Sequence, residues 1–265
     1  MVAELDHTPA RAFDEAAQDG FAYRFDWGPN GLRALAPVAD VLVIVDVLRF
    51  TSAVSAAIES DATVFPYRWA DDGGPAYAEA RQAILAGRRE DGGPSLSPTD
   101  LLLLTSGTRL VLPSPNGSAL AFAARDHGAR HVLAGCLRNA SATAHAARKL
   151  AGPSGVVAIV AAGERWRGDT GPLRPAVEDL LGAGAVLAAL DPSASISAPG
   201  CSPEAAAARA AFVAARPRLR DILPTTVGGR ELIARGWADD VDTSSALDVT
   251  SRAALLRDDA FVAWT

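Results

Sequence analysis

The chain has 265 residues, 49% of them hydrophobic, a formal net charge of −6 and two cysteines. Such length and apolar content give a folded chain with a substantial core and exclude disorder. No Lys/Arg stripe is present to neutralise nucleic-acid phosphates, two cysteines make no disulfide framework, and no apolar run approaches the ~20 residues that cross a bilayer. The opening stretch, MVAELDHTPARAFDEAAQDG, is polar and acidic without an apolar h-region, so no signal peptide is expected and the expected compartment is the cytoplasm.

In chain order, Val41–Val45 (VLVIV) reads as a strand buried on both faces. Ser52–Ser60 follows as a short Ala-rich helix that Thr51 or Ser52 can cap. Ala62–Phe65 is a second strand and Ala76–Arg88 a helix, followed by the Gly/Pro/Ser loop REDGGPSLSPTD. Leu101–Leu104 and Arg109–Leu112 are predicted as a hairpin around Ser106-Gly107. Gly117–Arg125 is helical, His131–Ala134 a strand, and Ala140–Leu150 a helix with Asn139 as its natural N-cap. Val156–Ala161 is another buried strand. The loop GERWRGDTGPLRP leads to a helix from about Pro175 to Leu190, Ala205–Ala215 and Arg230–Arg235 are further helices, and Ala260–Ala263 is predicted as an edge strand. This alternation means an α/β layered fold with a mixed, largely parallel sheet. With no repeat and no long linker, residues 1–265 are read as one domain.

In open α/β sheets, ligands sit beyond the carboxyl ends of the strands. Four exits carry polar groups: Asp46-Val47-Leu48-Arg49, Ser114-Pro115-Asn116-Gly117, Arg138-Asn139-Ala140-Ser141 and Gly163-Glu164. Three of them run into helix N-termini, whose free N–H groups and dipole favour an anion. An anion site beside a carboxylate and a guanidinium suggests phosphoester chemistry. The same residues also have structural readings. Asp46 and Arg49 can be an ion pair closing the strand, Asn116-Gly117 a turn, and Glu178 and Asp179 dipole partners in a helix's first turn. Adjacent helical residues point about 100° apart, so at most one of Glu178 and Asp179 should face a ligand squarely. Gly182–Ala185 (GAGA) lies inside a helix, where close packing explains it better than a dinucleotide fingerprint. The four histidines have no metal-ligand spacing.

The segments DVLRFTSA, PNGSALA, GCLRNASATA, AAGE followed by VEDLLGAGAV, and GRELIARGWADDVD run in order between about Val41 and Val262. Together they resemble the 2-phosphosulfolactate phosphatases, Mg²⁺-dependent enzymes of coenzyme M synthesis. The resemblance implies a three-layer α/β/α fold and a metal-assisted phosphomonoester hydrolase acting on a small anionic phosphorylated substrate, with no nucleic-acid or membrane partner; a homodimer is left open. It implies that Asp46 binds Mg²⁺ or orients a water, and that Arg49 pairs with Asp46 in the empty site and with phosphoryl oxygens when substrate is bound. Thr51, Ser114, Asn116 and the Gly117 N–H would cradle phosphate, and Asn139 and Ser141 would orient the rest of the substrate. Glu178 or Asp179 would complete the metal site, since Mg²⁺ takes only one or two protein carboxylates. Two departures stand out. The segment resembling FDLGNSP is reduced to SLSP, Ser95–Pro98, and a Thr-Thr run before Asn-Gly becomes Pro113-Ser114-Pro115. Arg165, with Arg167 and Arg174, is the expected replacement clamp on an anion. Two rival readings are a non-catalytic small-anion binder of the same family and an isochorismatase-like cysteine hydrolase using Cys136.

Overall fold

The computed structural model describes residues 15–68, 71–166, 171–191 and 200–264. Strand β1 (Tyr23–Trp27) and helix α1 (Gly28–Leu35) precede β2 (Val41–Val45), which passes into α2 (Phe50–Glu59). Next come β3 (Thr63–Tyr67), α3 (Gly74–Glu79), β4 (Ile84–Leu85), α4 (Pro98–Leu101), β5 (Arg109–Pro113) and α5 (Gly117–Asp126). They are followed by β6 (His131–Gly135), α6 (Ala140–Ala151), β7 (Val157–Ala161), the short pair β8 (Glu164–Arg165) and β9 (Leu173–Arg174), and α7 (Val177–Leu190). The chain closes through α8 (Pro203–Ala215), α9 (Leu219–Ile222), α10 (Val227–Ala234), α11 (Ala238–Ser245), β10 (Ala254–Arg257) and β11 (Ala260–Ala263).

Nine strands form one sheet in the order β1-β7-β2-β6-β10-β11-β3-β5-β4. Strands β1, β7, β2 and β6 are mutually parallel, as are β3, β5 and β4, and the antiparallel hairpin β10–β11 joins the two blocks. Val45 pairs with Gly135 on one side and Ala161 on the other. The exits of β2, β6 and β7 therefore end level, which is the geometry a strand-end site requires. Right-handed twist of about 20–25° per strand accumulates across so wide a sheet. That rotation is consistent with the helix after β5 meeting the exit of β2.

The apolar run of β2 has the expected consequence. Val41, Val43 and Val45 enter one core with residues of α6, α7 and α8, while Leu42 and Ile44 enter a second with residues of α1, α2 and α5. A strand lined on both faces must be apolar throughout, and its layers are helix, sheet, helix. The GAGA run serves the same packing. A Cβ on Gly182 would lie 2.5 Å from Val47, and one on Gly184 would lie 2.2 Å from the Ala208 carbonyl of α8. Only glycines let α7 approach this closely.

Three expectations are corrected and one further strand is added. Leu101–Leu104 is no strand: Pro98 starts the short helix α4, the Ser97 side chain caps it by accepting from the Asp100 N–H, and β5 pairs in parallel with β3 and β4. The helix expected over Ala76–Arg88 stops at Glu79. Gln82 adopts a left-handed φ of 49°, which turns the chain into β4. Strand β11 is interior, because the unpredicted β10 covers one side of it and β3 the other. Strand β1 was also unpredicted, and it pairs with β7 along its full length.

Candidate active site

Asp46 is the first residue past β2, and its turn is fixed by its neighbours. The Thr51 hydroxyl donates to the Asp46 carbonyl at 2.8 Å and accepts from the Asp46 N–H at 3.0 Å. Ser52 Oγ donates to the Val47 carbonyl at 2.8 Å. The buried Asp46 carboxylate accepts from two helix N-termini: Oδ1 from the Phe50 N–H at 3.2 Å, and Oδ2 from the Gly117 N–H at 2.9 Å. Residue 117 has to be glycine for this. A Cβ there would stand 2.3 Å from the Phe50 ring and 2.8 Å from Asp46 Oδ2.

Three more carboxylates surround it. Asp179, in the first turn of α7, accepts from the Val47 N–H at 2.7 Å and the Gly163 N–H at 2.9 Å, clamping the exits of β2 and β7 together. Its neighbour Glu178 is buried against Gly228, where a Cβ would come within 2.4 Å of Glu178 Oε1. Glu164 accepts from Asn116 Nδ2 at 3.1 Å. Burial pushes the Asp46 carboxyl up to about 7, with Glu164 adding to the rise and the Phe50 and Gly117 N–H groups opposing it. Burial, then Asp46 and Glu178, raises Asp179 well above the usual carboxylate range. Glu164 is raised as well, by burial, against the pull of Asn116 and Arg174. A pocket of mutually repelling oxygen donors is suited to a hard divalent cation. Among the described residues no three Asp, Glu, His or Cys side chains converge into a ready-made ligand cage.

Arg49 has a different partner from the one expected. Its Nη1 donates to Asp240 Oδ2 at 2.6 Å rather than to Asp46, and the guanidinium lies 4.7 Å from the centre of the Trp237 ring. Asp240 is fully buried, also accepts from Ser97 Oγ at 2.5 Å, and lies 3.4 Å from Arg89 Nη1. The late GWADDVD segment and the shortened SLSP segment thus meet on one carboxylate that holds Arg49. A buried aspartate surrounded by two guanidiniums and a hydroxyl meets the condition for burying charge, which is pairing.

The sequence profile of the 2-phosphosulpholactate phosphatase family matches residues 30–259. The 2-phosphosulfolactate phosphatase of Methanothermobacter thermautotrophicus is 30% identical over 223 residues, covering 82% of this chain and 86% of the relative. The chain belongs to the 2-phosphosulfolactate phosphatase family. It is therefore a member of a family of phosphoric monoester hydrolases, and the strand-end carboxylates lie within the matched span.

For the family reading, the structure redistributes several roles. Thr51 is fully buried with its hydroxyl committed to the backbone of Asp46, so it positions that residue instead of touching phosphate. Asn139 is likewise buried. Its Oδ1 accepts from the Cys136 N–H and its Nδ2 donates to the Ala134 carbonyl, so it closes the β6 exit from a fully buried position. It does not cap α6 with its side chain. Ser141 is held through both its N–H and its hydroxyl by Asp248, each at 2.7 Å, in a separate group. Asp179, like Asp46, has both oxygens on backbone N–H groups, while Glu178 Oε1 lies against Gly228. Ser114 is buried at the exit of β5, with its N–H on the Tyr67 carbonyl. Arg165 donates to the Gly171 carbonyl, and Arg174 lies over the Trp166 ring; Arg167 falls outside the described residues. Glu164 lies at one of the four polar exits, but the sequence assigns it no role. Its signal was present, since AAGE ends a buried strand with a carboxylate.

Proposed function

We propose that this chain is a Mg²⁺-dependent phosphatase hydrolysing a small phosphorylated 2-hydroxy acid, 2-phosphosulfolactate or a related phosphomonoester. The observation that carries the reading is the Asp46 carboxylate, buried at a level strand end, seated on the N–H groups of Phe50 and Gly117 and surrounded by Glu164 and Glu178. Asp46 and Glu178 would hold the cation. When bound, Mg²⁺ supplies charge neutralisation at the phosphoryl oxygens and polarisation of the ester. Arg49, fixed by Asp240 and Trp237, would bind phosphoryl oxygens with the remaining donors of its planar fork. Glu164, oriented by Asn116, would hold the attacking water. Asp179 and Thr51 keep the strand ends and the Asp46 turn in register.

A cysteine hydrolase is disfavoured. Cys136 is fully buried, burial pushes its thiol up, and Asn139 takes its N–H. A nucleophilic thiolate needs a lowered pKa and access to substrate. Phosphate release from 2-phosphosulfolactate and from a generic aryl phosphate should be assayed with Mg²⁺, with EDTA, and after thiol alkylation. Release that EDTA abolishes and alkylation spares is the expected result. No release under any condition, with substrate still bound, would make the chain an anion binder.

A further inference from the structure

Beside the carboxylate cluster lies a cavity of about 210 Å³. Its walls are Pro29, Pro115, Ala119, Leu120, Ala123, Ala162 and Leu173, with Asn116, Glu164 and Arg165 as its polar groups. Asn116 directly precedes Gly117, the glycine bonded to Asp46, and its side chain bonds Glu164. The cavity and the proposed phosphoryl site therefore share a wall, and one small ligand can reach both.

What would fill it is decided by its chemistry. A sulfonate or carboxylate buried in an apolar cavity needs a cation to pair with. Among the described lining residues the cation is Arg165, which is exposed and donates to the Gly171 carbonyl at 3.1 Å, and Arg174 also acts on Glu164 from over the Trp166 ring. The half-buried charged group of the lining is a carboxylate, Glu164, so an anionic substituent placed beside it in the apolar part of the cavity meets a like charge. An uncharged hydrocarbon meets only favourable surface, and a cavity of about 150 Å³ already accommodates a benzene ring. Pro115 and Ala119 flank the Asn-Gly step, so the apolar wall begins where the altered Pro113-Ser114-Pro115 run ends.

We propose that this cavity is the side-chain subsite of the substrate, and that the phosphomonoester this chain hydrolyses carries an uncharged aliphatic or aromatic group of benzyl size in place of a second strong anion. The proposal rests on the phosphatase reading above. Its test is a matched panel of 2-phosphorylated hydroxy acids bearing methyl, isobutyl, benzyl or sulfomethyl side chains. Phosphate release is measured with Mg²⁺, and binding is measured by calorimetry in EDTA, where turnover is blocked.

The benzyl or isobutyl compound should exceed the sulfomethyl compound at least tenfold in kcat/KM and in affinity, since a single well-filled methylene is worth about tenfold or more. Ala119→Leu, which fills the cavity, should lower the benzyl-to-methyl ratio of kcat/KM at least tenfold. Ala123→Val is the second variant should the first fold poorly. Turnover in which the sulfomethyl compound matches or beats the apolar ones overturns the subsite and leaves the phosphatase reading standing. Tight benzyl binding without phosphate release from any compound supports the subsite and overturns the phosphatase reading. Neither binding nor release overturns both.

Discussion

Replacing Asp46 by Asn keeps the side chain's shape and removes its charge, and the structure gives two opposing effects on stability. In the metal-free protein, burial raises this carboxyl from 3.8 to about 7. Ionising it inside the fold at pH 7.5 therefore costs about 4 kcal/mol relative to the unfolded chain. The sign follows from proton binding: between pH 4 and 7 the native state holds the proton that the unfolded state has lost, so this group's contribution to stability falls as pH rises through that window. Asn is spared the cost. Against that, both Asp46 oxygens accept N–H groups, from Phe50 and Gly117, and Asn can offer only one oxygen. The other N–H then faces an amide NH₂, an unsatisfied buried donor worth about 1–3 kcal/mol. In EDTA at pH 7.5, Asp46→Asn should thus melt at or a few degrees above wild type, and this advantage should vanish near pH 4. Mg²⁺ should raise the wild-type melting temperature by mass action and leave the variant's unchanged. Turnover should fall on the order of 10² or more. The assays are differential scanning calorimetry at pH 4, 5.5 and 7.5 with EDTA or Mg²⁺, and phosphate release on the same preparations. A variant that melts far below wild type at pH 7.5 in EDTA, yet turns over at the full rate per folded molecule, would refute both the electrostatics and the site assignment.

Other perturbations test the neighbouring contacts. Asp240→Asn leaves Arg49 and Arg89 facing a neutral amide, and breaking a buried pair typically costs about 3–5 kcal/mol; chemical denaturation reads this loss, and the KM for substrate should rise as Arg49 loses its anchor. Gly117→Ala inserts a methyl into the Phe50 ring and the Asp46 carboxylate, an overpacking worth about 1–3 kcal/mol. A wild-type melting temperature for that variant would contradict the close approach at the start of α5. Asp179→Asn should loosen the clamp between the exits of β2 and β7, read as faster hydrogen exchange at the Val47 and Gly163 amides. Cys136 and Cys201 are both buried with raised thiols, so at pH 8 a thiol reagent should react slowly until denaturant is added, and prompt modification with loss of activity would reinstate the cysteine chemistry.

Much of the fold was legible because β2, β6 and β7 are short apolar runs between turn residues, and runs of that kind have few alternatives inside an α/β sheet. Reading failed where local pattern and long-range pairing disagree. Leu101–Leu104 is as apolar as any strand, yet Pro98 with a Ser97 cap makes a helical turn of its start. Ala260–Ala263 looks like a chain-end edge strand, but its place in the sheet depends on β10, whose ALLR carries little strand signal alone. The short β4 is visible only through its pairing with β5.

For the site, the sequence locates Asp46, Asn116, Gly117, Glu178 and Glu164 at strand exits and helix starts, because topology forces those positions together. It cannot say which polar side chain serves substrate and which serves the backbone. Thr51, Asn139 and Asp179 sit in the same segments as the candidate catalytic groups, and each spends its hydrogen bonds on main-chain N–H or C=O groups at a strand end. That division has a physical origin. A strand ending in a buried pocket leaves unpaired backbone groups there, each costly unless satisfied. An acidic site of this kind therefore needs a second set of polar residues to hold its own frame, drawn from the same residue types as the first. Arg49 shows the long-range version of the rule. Three residues from Asp46 in sequence, it is fixed by Asp240, 191 residues away, because a largely buried guanidinium needs a carboxylate partner and both Asp46 oxygens are already taken by backbone N–H groups.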